Sequence, residues 1–70
     1  MRLTINGEIK LIESTQTQLS LSDLIVKLNY HPKLVVVELN GTIITPENWK
    51  TNKIKDGDSL EIVTIVGGGS

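Results

Sequence analysis

Apolar and polar residues alternate from Arg2 to Ile12, with Leu3, Ile5, Ile9 and Leu11 at the apolar positions and Asn6-Gly7 between the two runs. A period of two is the pattern of a strand, and Asn-Gly supplies the positive φ values that a two-residue hairpin turn requires. The segment predicts strand, tight turn, strand. Glu13 to Gln18 is polar and has no period, which predicts a connecting loop. Ser20 and Asp23 form a capping-box variant, so a helix is expected to begin near Leu21. Within it Leu21, Leu24, Ile25 and Leu28 make one apolar stripe, with Ser22, Asp23 and Lys27 turned outward. The helix is expected to stop near Asn29, because Tyr30-His31-Pro32 follows and the residue before a proline avoids helical geometry.

Leu34 to Leu39 is rich in β-branched residues and runs into Asn40-Gly41 and Thr42-Ile43-Ile44, which predicts a second strand-turn-strand unit with a short outgoing arm. Thr45-Pro46-Glu47 reads as an N-cap, a proline at the first helical position and a dipole-favouring acid, opening a single turn through Trp49. Asp56-Gly57-Asp58 marks a turn. The last strand, Ser59 to Val66, sets Leu60, Ile62 and Thr64 against Glu61, Val63 and Ile65. This order predicts an α+β fold in two layers, a mixed sheet of four to five strands packed on one α-helix. The connection into the final strand is too long for a hairpin, so that strand is expected to lie parallel beside the first.

Composition narrows the function. Seventy residues hold one domain, expected to span 1–66, with 67–70 as a tail. Aromatic residues are only 3% of the chain, so the core must be built from Ile, Leu and Val. Seven basic against 8 acidic residues leave a formal charge of -1, with no field to hold nucleic acid by counterion release. No apolar run approaches the roughly 20 residues needed to cross a bilayer, and Met1-Arg2-Leu3-Thr4 opens directly into the alternating pattern rather than a signal peptide. Cysteine is absent, which excludes a disulfide scaffold and a thiolate metal site. The expected compartment is reducing: the cytoplasm or, for an algal chain, the plastid stroma.

The chain closes on Gly67-Gly68-Gly69-Ser70. A terminal glycine run has the most backbone entropy to lose and no side chain to bury, so it is expected to be flexible and exposed. Without Cβ atoms it can thread a narrow channel and present a carboxyl group to a partner's active site. The plainer reading is a frayed end or a Gly/Ser linker.

Val-Glu-Leu-Asn-Gly at 37–41, Pro46-Glu47-Asn48-Trp49, Asp56-Gly57-Asp58, Leu60-Glu61-Ile62-Val63 and Val66-Gly67-Gly68-Gly69, in that order, resemble the thiamine-biosynthesis sulfur carriers, the ThiS family. The resemblance covers essentially the whole chain. It implies a ubiquitin-like β-grasp fold and a carrier, not an enzyme. Its terminal glycine carboxylate would be adenylated with ATP by a ubiquitin-activating-like adenylyltransferase and converted to a thiocarboxylate by a sulfur donor, a cysteine desulfurase or similar. The sulfur would then pass to thiazole synthase. No cofactor is expected to be bound, ATP being consumed by the partner. The family ends on glycine, whereas here Ser70 follows Gly69, so the modified residue is expected to be Gly69 after removal of Ser70, with Gly68 the alternative, unless more tail continues beyond Ser70. The molybdopterin-synthase small subunit is similar but less so, and a non-covalent interaction or regulatory module resembling TGS domains is the rival of a different class.

Other residues carry plainer readings. With Leu60 and Ile62 on the helix side, Glu61, Val63 and Ile65 face outward as a strip for a partner to cover. Asp56 and Asp58 lack the further oxygen ligands of a calcium loop and are assigned to the turn, so no metal is expected. His31 has no second His or Cys to work with and reads as a loop residue. Lys50, Lys53 and Lys55 read as a solvated face, and Trp49 as an anchor for its turn.

Overall fold

Asn6 and Gly7 both adopt positive φ, 53° and 82°, and fold β1 (Arg2–Ile5) back onto β2 (Glu8–Leu11) as an antiparallel hairpin. They do so in a computed structural model that describes residues 1–13 and 18–65. A two-residue turn pairs Ile5 with Glu8 and Leu3 with Lys10, which sends Ile9 and Leu11 to the opposite face. Leu3 and Ile5 are buried, while Ile9 and Leu11 are 66% and 77% exposed. The hairpin thus matches expectation, but only one of its two apolar rows enters the core.

β3 (Leu19–Ser20) leads straight into α1 (Leu21–Lys27). The Ser20 hydroxyl accepts from the Asp23 N–H at 3.0 Å and the Asp23 carboxylate accepts from the Ser20 N–H at 3.4 Å, completing the expected capping box. Leu21, Leu24 and Ile25 are buried and Asp23 and Lys27 exposed, as the stripe required. The helix ends two residues earlier than expected: Leu28 caps it and Asn29 turns to φ 66°, a left-handed exit that breaks the repeat before Pro32 is reached. Leu34 also departs from expectation. Proline at the first position seeds a 3₁₀ turn over Pro32–Leu34, so β4 begins at Val35 and runs to Leu39.

Asn40 and Gly41 repeat the positive-φ turn and lead into β5 (Thr42–Ile44). A 3₁₀ turn over Pro46–Asn48 follows, in which Thr45 occupies the cap position but its side chain caps no backbone group. Instead its hydroxyl accepts from the Asn48 amide at 3.3 Å. β6 (Lys53–Ile54) pairs with β3 in a two-stranded ladder that the sequence did not announce, since two-residue strands are too short to show a period. β7 (Ser59–Thr64) closes the main sheet, two residues shorter than expected. Ile65 lies just past it, and Val66, like the expected boundary between domain and tail, lies outside the described residues.

The five-stranded sheet has the order β2-β1-β7-β4-β5, with β7 parallel to β1 and antiparallel to β4. The parallel pairing expected from the long connection is present, and it puts the last strand at the centre of the sheet. Leu3, Leu21, Leu24, Ile25, Val37 and Leu60 are almost wholly buried between sheet and helix. Each side chain so buried contributes about 1.5–3 kcal/mol, which is how an almost purely aliphatic core sustains so small a domain. The architecture is the ubiquitin-like β-grasp, a mixed sheet on one helix. Among the described residues no helix is long and apolar enough to cross a membrane.

Candidate functional site

Because β7 is central, the chain leaves the sheet from its middle and not from an edge. The Ile65 N–H donates to the Leu34 carbonyl at 2.6 Å, fastening the last described residue to the 3₁₀ turn that precedes β4. Gly67, Gly68, Gly69 and Ser70, singled out by sequence, lie outside the described residues. The exit point is bordered by an open, mainly apolar groove of about 600 Å³ lined by Pro32, Val35, Val36, Pro46, Trp49 and Ile65, together with Ser22 and Lys33.

Trp49 is one of the residues lining this groove. Its side chain is 3% exposed and its indole Nε1–H donates to the Ile44 carbonyl at 2.9 Å, so the ring is both packed and satisfied. The turn it belongs to is held further by the Asn52 side-chain amide, which donates to the Asn48 carbonyl at 2.7 Å. Trp49 is therefore the anchor that its turn needed.

On the face away from the helix, the strip expected from alternation divides in two. Glu61 and Val63 stand exposed on β7, whereas Ile65 lies beyond the strand and borders the groove. The register places Glu38 directly opposite Glu61 and Val36 directly opposite Val63, so the outward surface includes two residues of β4 that alternation in one strand did not reveal. Ile43 of β5 stands across from Glu38 in turn, 61% exposed. Among the described residues the one ion pair is Lys10 with Glu8 at the far edge, 3.7 Å apart.

The Asp56-Gly57-Asp58 turn is spent on structure. Asp56 accepts from the Arg2 N–H at 2.6 Å, and the two carboxylate oxygens of Asp58 accept from the Lys55 N–H at 2.8 Å and the Asn40 side-chain amide at 3.1 Å. The Asn40 side-chain oxygen in turn accepts from the Ser59 N–H at 3.0 Å. These bonds tie the start of the central strand to the turns on either side of it. His31 is exposed, and its Nδ1 accepts from the Lys33 N–H at 3.3 Å, a local cap for the turn it begins. Lys50, Lys53 and Lys55 are all exposed.

Comparison with known proteins places this geometry. The model described as ThiS family matches residues 3–69. The chain is 37% identical over 68 residues to a protein of Bacillus subtilis named sulfur carrier protein ThiS, covering 96% of this chain and 98% of that one. It is 36% identical over 70 residues to a thiazole synthase of Paramagnetospirillum magneticum, where the whole of this chain matches only 21% of that protein's length. A crystal structure of a thiamine biosynthesis protein from Geobacter metallireducens superposes with a TM-score of 0.83 at 33% identity, covering 99% of this chain and all of that one.

Proposed function

The chain belongs to the ThiS family, and we propose on that basis that it carries sulfur in thiamine biosynthesis on the C-terminal carboxyl group of a tail glycine, Gly69 or, as the alternative, Gly68. It is a carrier on which other enzymes act. The observation that bears most on the choice of residue is that the family match runs from Leu3 and stops at Gly69.

A carboxylate oxygen is a poor leaving group, so the first step is activation. The Gly69 carboxylate attacks the α-phosphorus of ATP, releasing pyrophosphate and leaving an acyl-adenylate. A sulfur nucleophile at the sulfide oxidation level then adds to the acyl carbon and AMP departs, converting –COO⁻ to –COS⁻. The first step belongs to a ubiquitin-activating-like adenylyltransferase; the second draws on a donor such as a cysteine desulfurase, whose persulfide sulfur is brought to the sulfide level by a thiol reductant that leaves as a disulfide; and thiazole synthase accepts the sulfur. ATP is consumed by the first partner, and this chain holds no cofactor in the reading.

The chain's own part is delivery. Ile65 is tied to Leu34, and from there to Gly69 an extended chain spans about 13 Å at roughly 3.3 Å per residue. That is reach enough to enter a partner's channel while the folded domain stays outside. Glu61 and Val63 on the sheet, with Ile65 at the groove, are the contacts we assign to the partner. The absence of cysteine supports sulfur carried on the terminus, because a persulfide relay needs a thiol. The thiazole synthase that contains a segment similar to this whole chain favours thiazole over molybdopterin as the acceptor.

Adenylation is tested by pyrophosphate exchange. With the adenylyltransferase and labelled pyrophosphate, a protein ending at Gly69 is expected to drive label into ATP and one ending at Gly67 is not. Equal exchange with both would remove the tail glycine from the mechanism.

A further inference from the structure

β2 is one edge of the five-stranded sheet, and all four of its residues are exposed. Met1 and Ile12 exchange both of their backbone hydrogen bonds at 2.8 Å, and along an antiparallel pair such exchanges alternate with pairs that make none. Lys10 and Glu8 therefore bond inward to Leu3 and Ile5, while the N–H and C=O groups of Ile9 and Leu11 point out at the open edge. As that alternation requires, the Thr4 N–H turns away from Ile9 and bonds to the Asp58 carbonyl. The side chains of Ile9 and Leu11, 66% and 77% exposed, stand on one face of this edge. Glu8 and Lys10 stand on the other, 3.7 Å apart as an ion pair. One short strand thus offers unpaired backbone, an apolar side and a charged side. An edge of this kind is a template for a further strand unless something blocks it. The opposite edge, β5, is Thr42–Ile44 and carries no charge with which to select a register.

We propose that the edge pairs with a second copy of the chain, antiparallel, β2 to β2, about a two-fold axis at Ile9. Residues whose backbone groups point outward must face one another to share hydrogen bonds, which leaves few registers. With Ile9 opposite the partner's Ile9, Glu8 lies opposite the partner's Lys10 and Lys10 opposite the partner's Glu8. The crossed pairs and the pair already present within each copy then close a square of alternating charge. Sliding one strand by two residues sets Lys10 against the partner's Lys10, a like-charge contact with Cβ atoms about 4.5–5.5 Å apart that destabilises the ladder. Charges on an edge strand ordinarily keep copies apart. Here their order, glutamate and then lysine two residues on, makes the strand complementary to itself. On the opposite face, Ile9 and Leu11 of the two copies cover one another. Two joined four-residue strands bury less than the roughly 1,200–2,000 Å² of a stable interface, so the dissociation constant is on the order of 0.1–1 mM. The central β7 strands of the two copies run in opposite directions, and the groove beside β4 stays open in each. The proposal is independent of the carrier reading and compatible with it.

Sedimentation equilibrium of the full chain, from about 10 µM to about 2 mM, tests the join. The average mass is expected to rise with concentration toward twice that of one chain. Glu8→Lys and Lys10→Glu each set like charges across the axis, and each is expected to weaken self-association by about tenfold or more. Both positions are exposed, so both variants keep the fold, which circular dichroism checks. Mixed in equal amounts, the two variants are expected to associate with each other at least as tightly as the wild-type chain with itself, because every crossed pair is again opposite in sign. A wild-type chain that stays monomeric throughout the range overturns the proposal. Self-association that either charge reversal leaves unchanged places the contact on another surface and overturns it too. Weakening by both reversals, with no recovery in the mixture, overturns the two-fold register on which the proposal stands.

Discussion

The side chain of Asn6 takes both backbone groups of Ile62: its oxygen accepts from the Ile62 N–H at 2.7 Å and its amide donates to the Ile62 carbonyl at 3.1 Å. A turn residue therefore continues the parallel β1–β7 ladder for one more step, after the Asn6 N–H has bonded to the Leu60 carbonyl at 2.9 Å. Asn6→Gly keeps the positive φ at no steric cost and deletes the amide. It is expected to destabilise the fold by about 1–3 kcal/mol, because two partly buried backbone groups lose their partner. Thermal denaturation should register a fall of roughly 5–15 °C. An unchanged melting temperature would mean that water satisfies Ile62 equally well.

The capping box gives a second stability prediction. Ser20→Ala removes the acceptor for the Asp23 N–H and is expected to cost about 1 kcal/mol, readable as a shifted midpoint in urea with an unchanged slope. Ser20→Asp, which retains an acceptor, should recover most of the loss.

Ile9 makes the opposite case. It stands on the outer face, and Ile9→Thr should alter stability by no more than about 0.5 kcal/mol, the scale of ordinary surface substitutions. Ile5→Thr, the same change on the core face of the hairpin, should cost several times as much. Equal costs would place Ile9 in the core, contrary to the register.

That contrast marks where the sequence was legible and where it was not. Periodicity located the hairpins, the helix and the central last strand, because Asn6-Gly7, Asn40-Gly41 and the Leu21-Leu24-Ile25 stripe are local signals with local causes. Facing is not local. A two-residue turn reverses the parity between its arms, so Leu3 and Ile9 look alike in a list of alternating residues and lie on opposite faces. The β3–β6 ladder and the 3₁₀ turn at Leu34 were missed for a related reason: each depends on what packs nearby or on a proline two residues away. At the candidate site, alternation within one strand pointed to Glu61 and Val63, but Glu38 and Val36 became visible only through the register. The glycine tail remains known by its sequence, and its role is argued from the family and from the fold that presents it.

A protein lacking residues 68–70 is expected to melt within about 2 °C of the full chain, since glycine has no side chain to bury, yet to accept no sulfur. A large loss of stability would give the tail a structural part. Charging of a protein ending at Gly68, with none for one ending at Gly69, would move the modified residue to Gly68.

The claim that sulfur is carried on the terminal glycine is tested most directly by intact mass after a protein ending at Gly69 has been incubated with the adenylyltransferase, ATP and the sulfur donor. Exchange of one oxygen for sulfur adds about 16 Da, a mass that oxidation of the single methionine would mimic, so retardation in an organomercury gel is read in parallel. With no cysteine in the chain, mercury retention reports the thiocarboxylate alone. The account predicts the added mass and the retardation together, both dependent on ATP. An unshifted mass, or an added mass without retardation, would contradict it.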